Sequence, residues 1–150
     1  MFTTCDHAGY SIKGYKSCPT QDGGAFSLTL SLNGKKLGTV ENSGRGGPNL
    51  YIFHGAEMAS LKATAKKVLK KDYIEIEDIF IENLINDWDN NKRFKRLCKT
   101  KVLLRCKGDE VGSYRTIKAV FSPAVKAQIL KLAKTKWKVE IVEFLNEVVS

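Results

Sequence analysis

The chain has 150 residues and a mass of 16.8 kDa, enough for one domain to bury a core without disulfide or metal staples. With 43% hydrophobic and 27% charged residues, its composition is that of an ordinary folded protein. No apolar run approaches the roughly 18 residues that a membrane span needs, and the first residues lack the basic and apolar regions of a signal peptide. We therefore expect no membrane span and a cytoplasmic protein, and we expect thiols at all four cysteines, which are Cys5, Cys18, Cys98 and Cys106.

The charge is strongly basic and is arranged in blocks. The formal net charge is +9 and the isoelectric point is about 9.4, a balance that favours a polyanionic partner such as nucleic acid, a nucleoprotein or an acidic protein face. Residues 62–71 carry lysines and no acid, residues 72–89 carry seven acids and no Lys or Arg, and residues 92–107 are basic again.

The first third of the sequence predicts β-hairpins. Residues 26–32 alternate strictly between apolar and polar side chains, which indicates a strand with one buried face. Asn33 and Gly34 follow, the preferred pair for a type I′ turn because both positions need positive φ. Residues 35–41 then form the second strand, and residues 51–53 a third strand after a glycine-rich loop. Residues 10–15 are a weaker candidate for an earlier strand.

The middle of the sequence predicts two helical regions. Residues 57–69 place an apolar stripe on one face, formed by Met58, Leu61, Ala65, Val68 and Leu69. Residues 74–98 form the second region, with a possible break at residues 89–91. Its acids gather near its start and its bases near its end, the order that a helix dipole favours. Part of the charge blocking therefore has a structural cause, and we interpret the acids of residues 72–82 as a solvated helix face.

The last third predicts a strand at residues 102–106, a turn at 107–112 and a hairpin partner at 114–120. Ser122 as N-cap and Pro123 at the first helical position begin a helix that extends to about residue 135. We expect its inward residues to be Val125, Ile129, Leu132 and Ala133. Residues 137–141 are a candidate last strand, and residues 142–149 fit a helix equally well. The sequence thus predicts one α+β domain over residues 1–150, with antiparallel hairpins and about three packed helices.

The glycine-rich loop at residues 42–49 is one candidate for a binding site. Nucleotide-binding loops need a following Gly-Lys-Ser/Thr or a helix, and here strands are expected on both sides. We therefore interpret the loop as a strand connection that needs positive φ. Arg45, flanked by glycines, is then exposed and suited to contact phosphate or carboxylate groups of a partner.

A basic cluster with an interleaved aromatic residue is the best candidate for polyanion contact. On a helix, Lys92, Arg96 and Lys99 share one face, whereas Arg93 lies on another. Lys95 completes the cluster, and Phe94 lies within it. The alternative is an ordinary solvated helix end.

The cysteines and histidines form no recognisable motif. Cys5, His7 and Cys18 fit neither the C-x₂-C nor the H-x₃-H spacing of zinc sites, and no nucleophile motif accompanies His54. We expect no catalytic residue, no metal and no cofactor. The open alternative is a metal protein or an enzyme that uses these four residues. Asp87 and Asp89 flank Trp88. These two acids lack the spacing and the glycine of an EF-hand calcium site.

Several segments resemble small proteins of phages and other bacterial mobile elements. The resemblance lies in residues 33–47 followed by Tyr51, and in residues 95–105, 114–117 and 121–124, which together span about two thirds of the chain. It implies a small accessory protein that acts in a bacterial cytoplasm. Proteins of that size and origin often inhibit host defences, including CRISPR effectors, but no catalytic residue is carried over.

We therefore expect a non-enzymatic inhibitor or modulator that binds a host macromolecular complex, most plausibly an anti-defence protein of the anti-CRISPR kind. The expected contact residues are Arg45, Lys92, Arg93, Lys95, Arg96 and Lys99. The alternative is a direct nucleic-acid binder that uses the basic helix, although seven uninterrupted acids beside such a helix count against it.

Overall fold

The computed structural model describes residues 5–110 and 112–148. These residues form four helices and two antiparallel sheets, of four and three strands, which confirms the predicted α+β class. The chain divides into two compact units at the boundary between Trp88 and Asp89; each is described by itself, and one domain over residues 1–150 stays a prediction. Val111 of the expected turn and Val149 of the expected closing helix lie outside the described residues.

A four-stranded sheet forms the start of the N-terminal unit. Its strands are β1 (Tyr10–Thr20), β2 (Gly23–Leu32), β3 (Lys35–Asn42) and β4 (Leu50–Ile52), hydrogen-bonded in that order. The hairpin prediction is confirmed, and β1 is longer than expected. Asn33 and Gly34 have φ of 49° and 82°, as the type I′ turn requires.

Two helices pack on this sheet to complete the N-terminal unit. Helix α1 (Gly55–Leu69) buries Leu61 and Ala65 from the predicted stripe. Helix α2 (Ile76–Cys98) begins in this unit and buries Phe80, Ile81 and Leu84. The core joins these side chains to apolar residues at alternate positions of the first three strands, which are Tyr10, Ile12, Leu28, Leu30 and Val40.

Helix α2 departs from the sequence expectation in two ways. It continues without interruption through residues 89–91, because Asp and Asn cost a helix only a few tenths of a kcal/mol each, and the turns on either side bury apolar side chains. Its acids are not a uniformly solvated face. Glu77 and Asp87 are buried, with 8% and 1% exposed, and Asp78 accepts hydrogen bonds from Asn49 N and from the Tyr51 hydroxyl.

The C-terminal unit is built on a three-stranded sheet. Its strands are β5 (Val102–Cys106), β6 (Arg115–Ile117) and β7 (Ile141–Phe144), with β5 in the centre. Helix α3 (Pro123–Leu132) follows β6 and continues into a π-helical segment (Ala133–Trp137), and the short helix α4 (Leu145–Val148) follows β7. The core of the unit is formed by Val102, Leu104, Cys106, Ile129 and Phe144.

The start of α3 confirms the predicted cap, and its end corrects two expectations. Ser122 Oγ accepts a hydrogen bond of 3.2 Å from the backbone N–H of Val125. Leu132 is 40% exposed, because Ile129 and Ala133 lie one above the other toward the core and Leu132 falls beside that row. The last strand begins at Ile141, not at Trp137, since the helical path continues to Trp137 and ends in the left-handed conformation of Lys138, at φ 53°.

All four cysteines are free thiols, as expected. Cys106 is buried in the C-terminal core, whereas Cys98 is only half-buried. No helix formed by residues 5–110 or 112–148 combines the length and the apolar character that crossing a membrane requires.

Candidate functional site

The excess positive charge lies entirely in the C-terminal unit. Residues 1–88 contain ten Lys and Arg and ten Asp and Glu, so they are formally neutral. Residues 89–150 contain 15 Lys and Arg against 6 Asp and Glu, which gives the whole net charge of +9. A polyanion attracted by the net charge of this protein is therefore attracted to residues after Trp88.

Most carboxylates of the C-terminal unit are already engaged. Four ion pairs of this unit lie at the turn after β5, on β5 and on α3. Their members are Asp109 with Arg115, Glu140 with Lys107, Glu143 with Arg105, and Glu147 with Lys126. The uncompensated cations must then lie elsewhere, and they concentrate at the end of α2 and around the end of α3.

The predicted basic cluster lines one open depression at the end of α2. Its volume is about 670 Å³, and it also takes in Asp89 and Asn90. We call its five basic residues the basic surface; they are Lys92, Arg93, Lys95, Arg96 and Lys99, all exposed. Within the described residues, Arg93, Lys95, Arg96 and Lys99 form no ion pair.

Arg93 lines the same depression as the other basic residues, although the sequence places it on another face of the helix. At 100° per residue, Arg93 lies 100° from Lys92 around the helix. Its long side chain nevertheless lines the same depression as Lys92, Arg96 and Lys99. The structure therefore brings all five predicted cations of the cluster together.

Phe94 fixes the direction in which the basic surface points. It lies 200° from Lys92 around the helix and is buried, with 5% exposed. Its ring meets that of Tyr114 edge-on, with centroids 4.9 Å apart. Because Phe94 is held inside the unit, the cations on the opposite side of this turn face solvent.

Asn146 ties the end of α2 to the sheet, and sequence reasoning missed it. It is buried, with 6% exposed, and its Oδ1 accepts a 2.8 Å hydrogen bond from the backbone N–H of Leu103. Its Nδ2 donates to the carbonyls of Lys101 at 2.9 Å and of Cys98 at 3.3 Å. Carbonyls at a helix C-terminus lack helical partners, so Asn146 stabilises the helix end that carries the basic surface. An asparagine 48 residues downstream of Cys98 gives no local signal of this role.

A second group of exposed cations flanks Trp137 in sequence, and sequence reasoning missed this group as well. Trp137 is 41% exposed at the end of the π-helical segment. The exposed lysines near it in sequence are Lys131, Lys134, Lys136 and Lys138. Basic residues interleaved with an aromatic residue are the available signal, but the sequence makes residues 137–141 a candidate strand.

The glycine-rich loop connects β3 to β4, as predicted, and is braced by Asn42. Asn42 Oδ1 accepts from Gly44 N at 2.8 Å, and its Nδ2 donates to Gly47 O at 3.1 Å. Thr20 Oγ1 donates to Gly44 O at 2.5 Å. Arg45 is exposed between these anchored glycines. It belongs to the N-terminal unit, whereas the basic surface belongs to the C-terminal unit.

Asp78 has a structural role beside this loop. One of its carboxylate oxygens accepts from the hydroxyl of Tyr51 at 2.5 Å and the other from Asn49 N at 3.0 Å. Burial raises the pKa of Tyr51 well above its usual range, and the hydrogen bond to Asp78 raises it further. Tyr51 therefore stays a donor at neutral pH, and Asp78 is engaged in fixing the loop.

Two of the four residues in the open metal or enzyme alternative come together. The Sγ of Cys5, a ring nitrogen of His7 and a carboxylate oxygen of Asp87 lie within 4.8 Å of one another. Cys18 and His54 lie outside this group. Burial raises the pKa of the Cys5 thiol, and the charges of Asp87 and Asp6 raise it further. Because thiolates are the nucleophilic form, this environment does not activate Cys5 for covalent catalysis.

Comparison of the chain with protein-family models, with curated proteins and with solved structures gives no match. Functional inference therefore depends on this chain's own residues. Charge and exposure single out the basic surface, and the contacts of Phe94 and Asn146 show how the fold holds it in place.

Proposed function

We propose that the protein is a non-enzymatic modulator that binds the nucleic acid of a nucleoprotein complex through its basic surface. One observation supports this most directly: the whole net charge of +9 lies after Trp88, and the five exposed cations of the basic surface line one depression there. Phosphate groups are the ligands that such a surface would neutralise, with release of their counterions.

The side chains of the basic surface suit phosphate chemically. Arg93 and Arg96 present planar guanidinium groups that can engage two phosphate oxygens at once, and the lysines add point charges. The acidic block of residues 72–89 is a weaker objection than its sequence suggests. Glu77 pairs with Lys62 at 3.3 Å and Asp72 with Lys66 at 3.0 Å, so part of its charge is compensated within the N-terminal unit.

Trp137 favours a single-stranded segment as the ligand. Exposed aromatic rings among cations stack on unpaired bases, each worth about 1–3 kcal/mol, whereas duplex bases are already stacked. Trp137 is 41% exposed and has lysines on both sides in sequence. We expect its fluorescence to be quenched by a single-stranded oligonucleotide, and a Trp88→Phe variant makes Trp137 the sole reporter.

The resemblance to proteins of phages and bacterial mobile elements supplies the proposed setting. The resembling residues 95–105 include Lys95, Arg96 and Lys99 of the basic surface. A CRISPR effector in a bacterial cytoplasm exposes guide and target phosphates, and this surface would compete for them. Phage that carry the gene should then escape such a defence, and a pull-down from the host should capture its nucleoprotein. Full sensitivity of that phage would remove the anti-defence role.

Arg45 is proposed as a separate contact to the protein part of the same complex. It is exposed on a loop that Asn42 and Thr20 hold in place. Because the loop backbone is already ordered, binding a partner has to order only the Arg45 side chain. An Arg45→Ala variant should fold normally and keep its affinity for free oligonucleotide while capturing less of the complex. Equal capture by both proteins would leave the loop as scaffold.

The decisive test compares two triple variants of equal net charge in their binding of a fluorescent single-stranded oligonucleotide. The first replaces Lys95, Arg96 and Lys99 by glutamine. The second replaces three exposed lysines of the N-terminal unit by glutamine: Lys67, Lys70 and Lys71.

We expect the first triple variant to lose about 50-fold in affinity near physiological salt, the counterion-release value for three single-strand phosphate contacts. The second should change little. Equal losses in both would indicate non-specific attraction to net charge, and no loss in either would exclude the basic surface as the binding site.

A further inference from the structure

A thiol, an imidazole and a carboxylate converge beside the start of β1. The ligand atoms of Cys5, His7 and Asp87 all lie within 4.8 Å of one another, and His7 Nε2 is 2.7 Å from Asp87 Oδ2. No other trio of this kind occurs among residues 5–110 and 112–148. We propose that Cys5, His7 and Asp87 form a mononuclear site for a divalent transition metal, with Zn²⁺ as the preferred ion.

The distances suit a zinc ion after a small adjustment. Zinc binds sulfur at about 2.3 Å and nitrogen or oxygen at about 2.0–2.2 Å, in tetrahedral geometry. Ligand atoms around such an ion are therefore separated by roughly 3.2–3.8 Å. The atoms of Cys5, His7 and Asp87 already lie within 4.8 Å of one another. Entry of the ion requires that the direct contact between His7 and Asp87 opens by a fraction of an ångström to about 1 Å, and that the Cys5 sulfur approaches by up to about 1 Å.

Burial explains why a cation would be favoured there. Asp87 has 1% of its side chain exposed and His7 has 22%. A buried carboxylate is stabilised by positive charge close to it. A divalent ion held by the neutral imidazole and the carboxylate would add such charge beside Asp87. The same ion also neutralises a Cys5 thiolate beside the carboxylate.

The scaffold around the three ligands is preorganised. Asp87 lies on helix α2, and the backbone N–H of Tyr10 donates to His7 O at 2.8 Å to close the turn before β1. In this turn Gly9 has φ of 82°, and its carbonyl accepts from Asn33 N at 2.9 Å. A Cβ at Gly9 would collide with the Asn33 side chain, so this turn is fitted closely to the β2–β3 turn.

The mixed ligand set selects among metals. Thiolate is a soft ligand that Mg²⁺ and Ca²⁺ avoid, and imidazole suits zinc, copper, nickel and iron. Three protein ligands leave a fourth position for water or for a group from a partner, as in zinc sites that stay open. The spacing of Cys5 and His7 matched no metal motif because the third ligand, Asp87, is 80 residues from His7 in sequence.

Cobalt titration of the purified full chain tests this site, since Co²⁺ replaces zinc and reports a bound thiolate through an intense near-ultraviolet charge-transfer band. We expect one ion per chain, displacement of Co²⁺ by Zn²⁺, and a higher melting temperature with zinc. Cys5→Ser should remove the band and weaken binding by more than about 100-fold, beyond the loss typical of an outer-shell partner. Cys18→Ser, at an exposed thiol outside the group, is the matched control and should leave both unchanged.

Variants at Cys5 and His7 keep the test independent of folding, because these side chains are partly exposed, whereas a change at buried Asp87 endangers the fold. His7→Ala should weaken cobalt binding as Cys5→Ser does while circular dichroism stays unchanged. Absence of cobalt and zinc binding by the wild-type chain would overturn the proposal. So would a band that survives Cys5→Ser or is lost in Cys18→Ser.

Discussion

The rings of Phe94 and Tyr114 meet edge-on, with centroids 4.9 Å apart and planes at 71°. This contact holds the buried side of the helical turn whose opposite side carries Lys92 and Arg96. The uncharged Phe94 side chain thus fixes the direction of the basic side chains on the opposite side of the turn. The Phe94–Tyr114 contact therefore supports the surface that we propose binds nucleic acid.

Truncating Phe94 should therefore destabilise the C-terminal unit. Phe94→Ala removes a buried ring and is expected to lower the free energy of unfolding by about 3–5 kcal/mol, measured by urea denaturation. Phe94→Leu keeps most of the apolar volume and should cost less than about 1.5 kcal/mol. Equal stabilities of the wild type and Phe94→Ala would show that the ring does not anchor the helix end.

Asn146 should be the most sensitive polar residue of the C-terminal unit. Asn146→Ala leaves Leu103 N without its side-chain acceptor and the carbonyls of Cys98 and Lys101 without their donor. Each buried group left unpaired costs about 1–3 kcal/mol. Urea denaturation should show a loss of at least about 2 kcal/mol. Hydrogen exchange at Leu103 should also accelerate, and a change below about 0.5 kcal/mol, the usual effect at a surface site, would contradict this role.

Two glycines of the glycine-rich loop, on either side of Arg45, provide a matched comparison. Gly44 and Gly46 both have positive φ, at 70° and 76°. A Cβ at Gly44 would collide with Ala25 N and with the Thr20 side chain, whereas the space around Gly46 is open. Gly46→Ala should cost about 1–2 kcal/mol for the left-handed conformation alone.

Gly44→Ala should cost about 1–3 kcal/mol more than Gly46→Ala, because crowding is added to the same conformational penalty. Thermal denaturation of the two variants makes the comparison. If their melting temperatures coincide, the loop does not pack against Thr20 and Ala25 in the way the structure describes.

The Asp109–Arg115 ion pair gives the C-terminal unit a defined response to acid. Hydrogen bonds from the Arg115 guanidinium, and then from the Cys106 backbone N–H, lower the pKa of Asp109. A carboxyl whose pKa is lower in the folded state stabilises the fold above its unfolded pKa of about 3.9 and loses that contribution as the pH falls through its folded pKa.

Asp109→Asn should therefore be less stable than the wild type by a constant margin above about pH 5, and the margin should shrink as the pH falls below about 4. Urea denaturation across that range measures it. The asparagine retains an acceptor for Cys106 N, so the comparison isolates the charge. A margin that stays constant down to about pH 2 would rule out the lowered pKa.

The elements that the sequence predicted are those whose signals are local. Residues 26–41 carry strict alternation and an Asn-Gly turn, and Ser122-Pro123 carries a cap and a first helical residue, so each element specifies itself over a few positions. The basic surface was found for the same reason, since its five cations lie within eight residues of sequence.

The contacts that the sequence could not predict join distant residues. Asp87 meets His7 from 80 positions away, and Asn146 reaches Cys98 from 48 positions away. A sequence pattern also cannot show that helix α2 continues through residues 89–91, because that outcome depends on burial on both sides of the weak turn. Trp137 was misplaced because a π-helical segment has no sequence signature comparable to that of an α-helix.

The salt dependence of oligonucleotide binding tests the central claim most directly. The logarithm of the wild-type association constant for a single-stranded oligonucleotide should fall linearly with the logarithm of salt concentration. Replacing Lys95, Arg96 and Lys99 by glutamine should reduce the magnitude of that slope by about 2, at roughly 0.7 for each lost phosphate contact. An unchanged slope in this variant, or wild-type binding that does not respond to salt, would contradict the account.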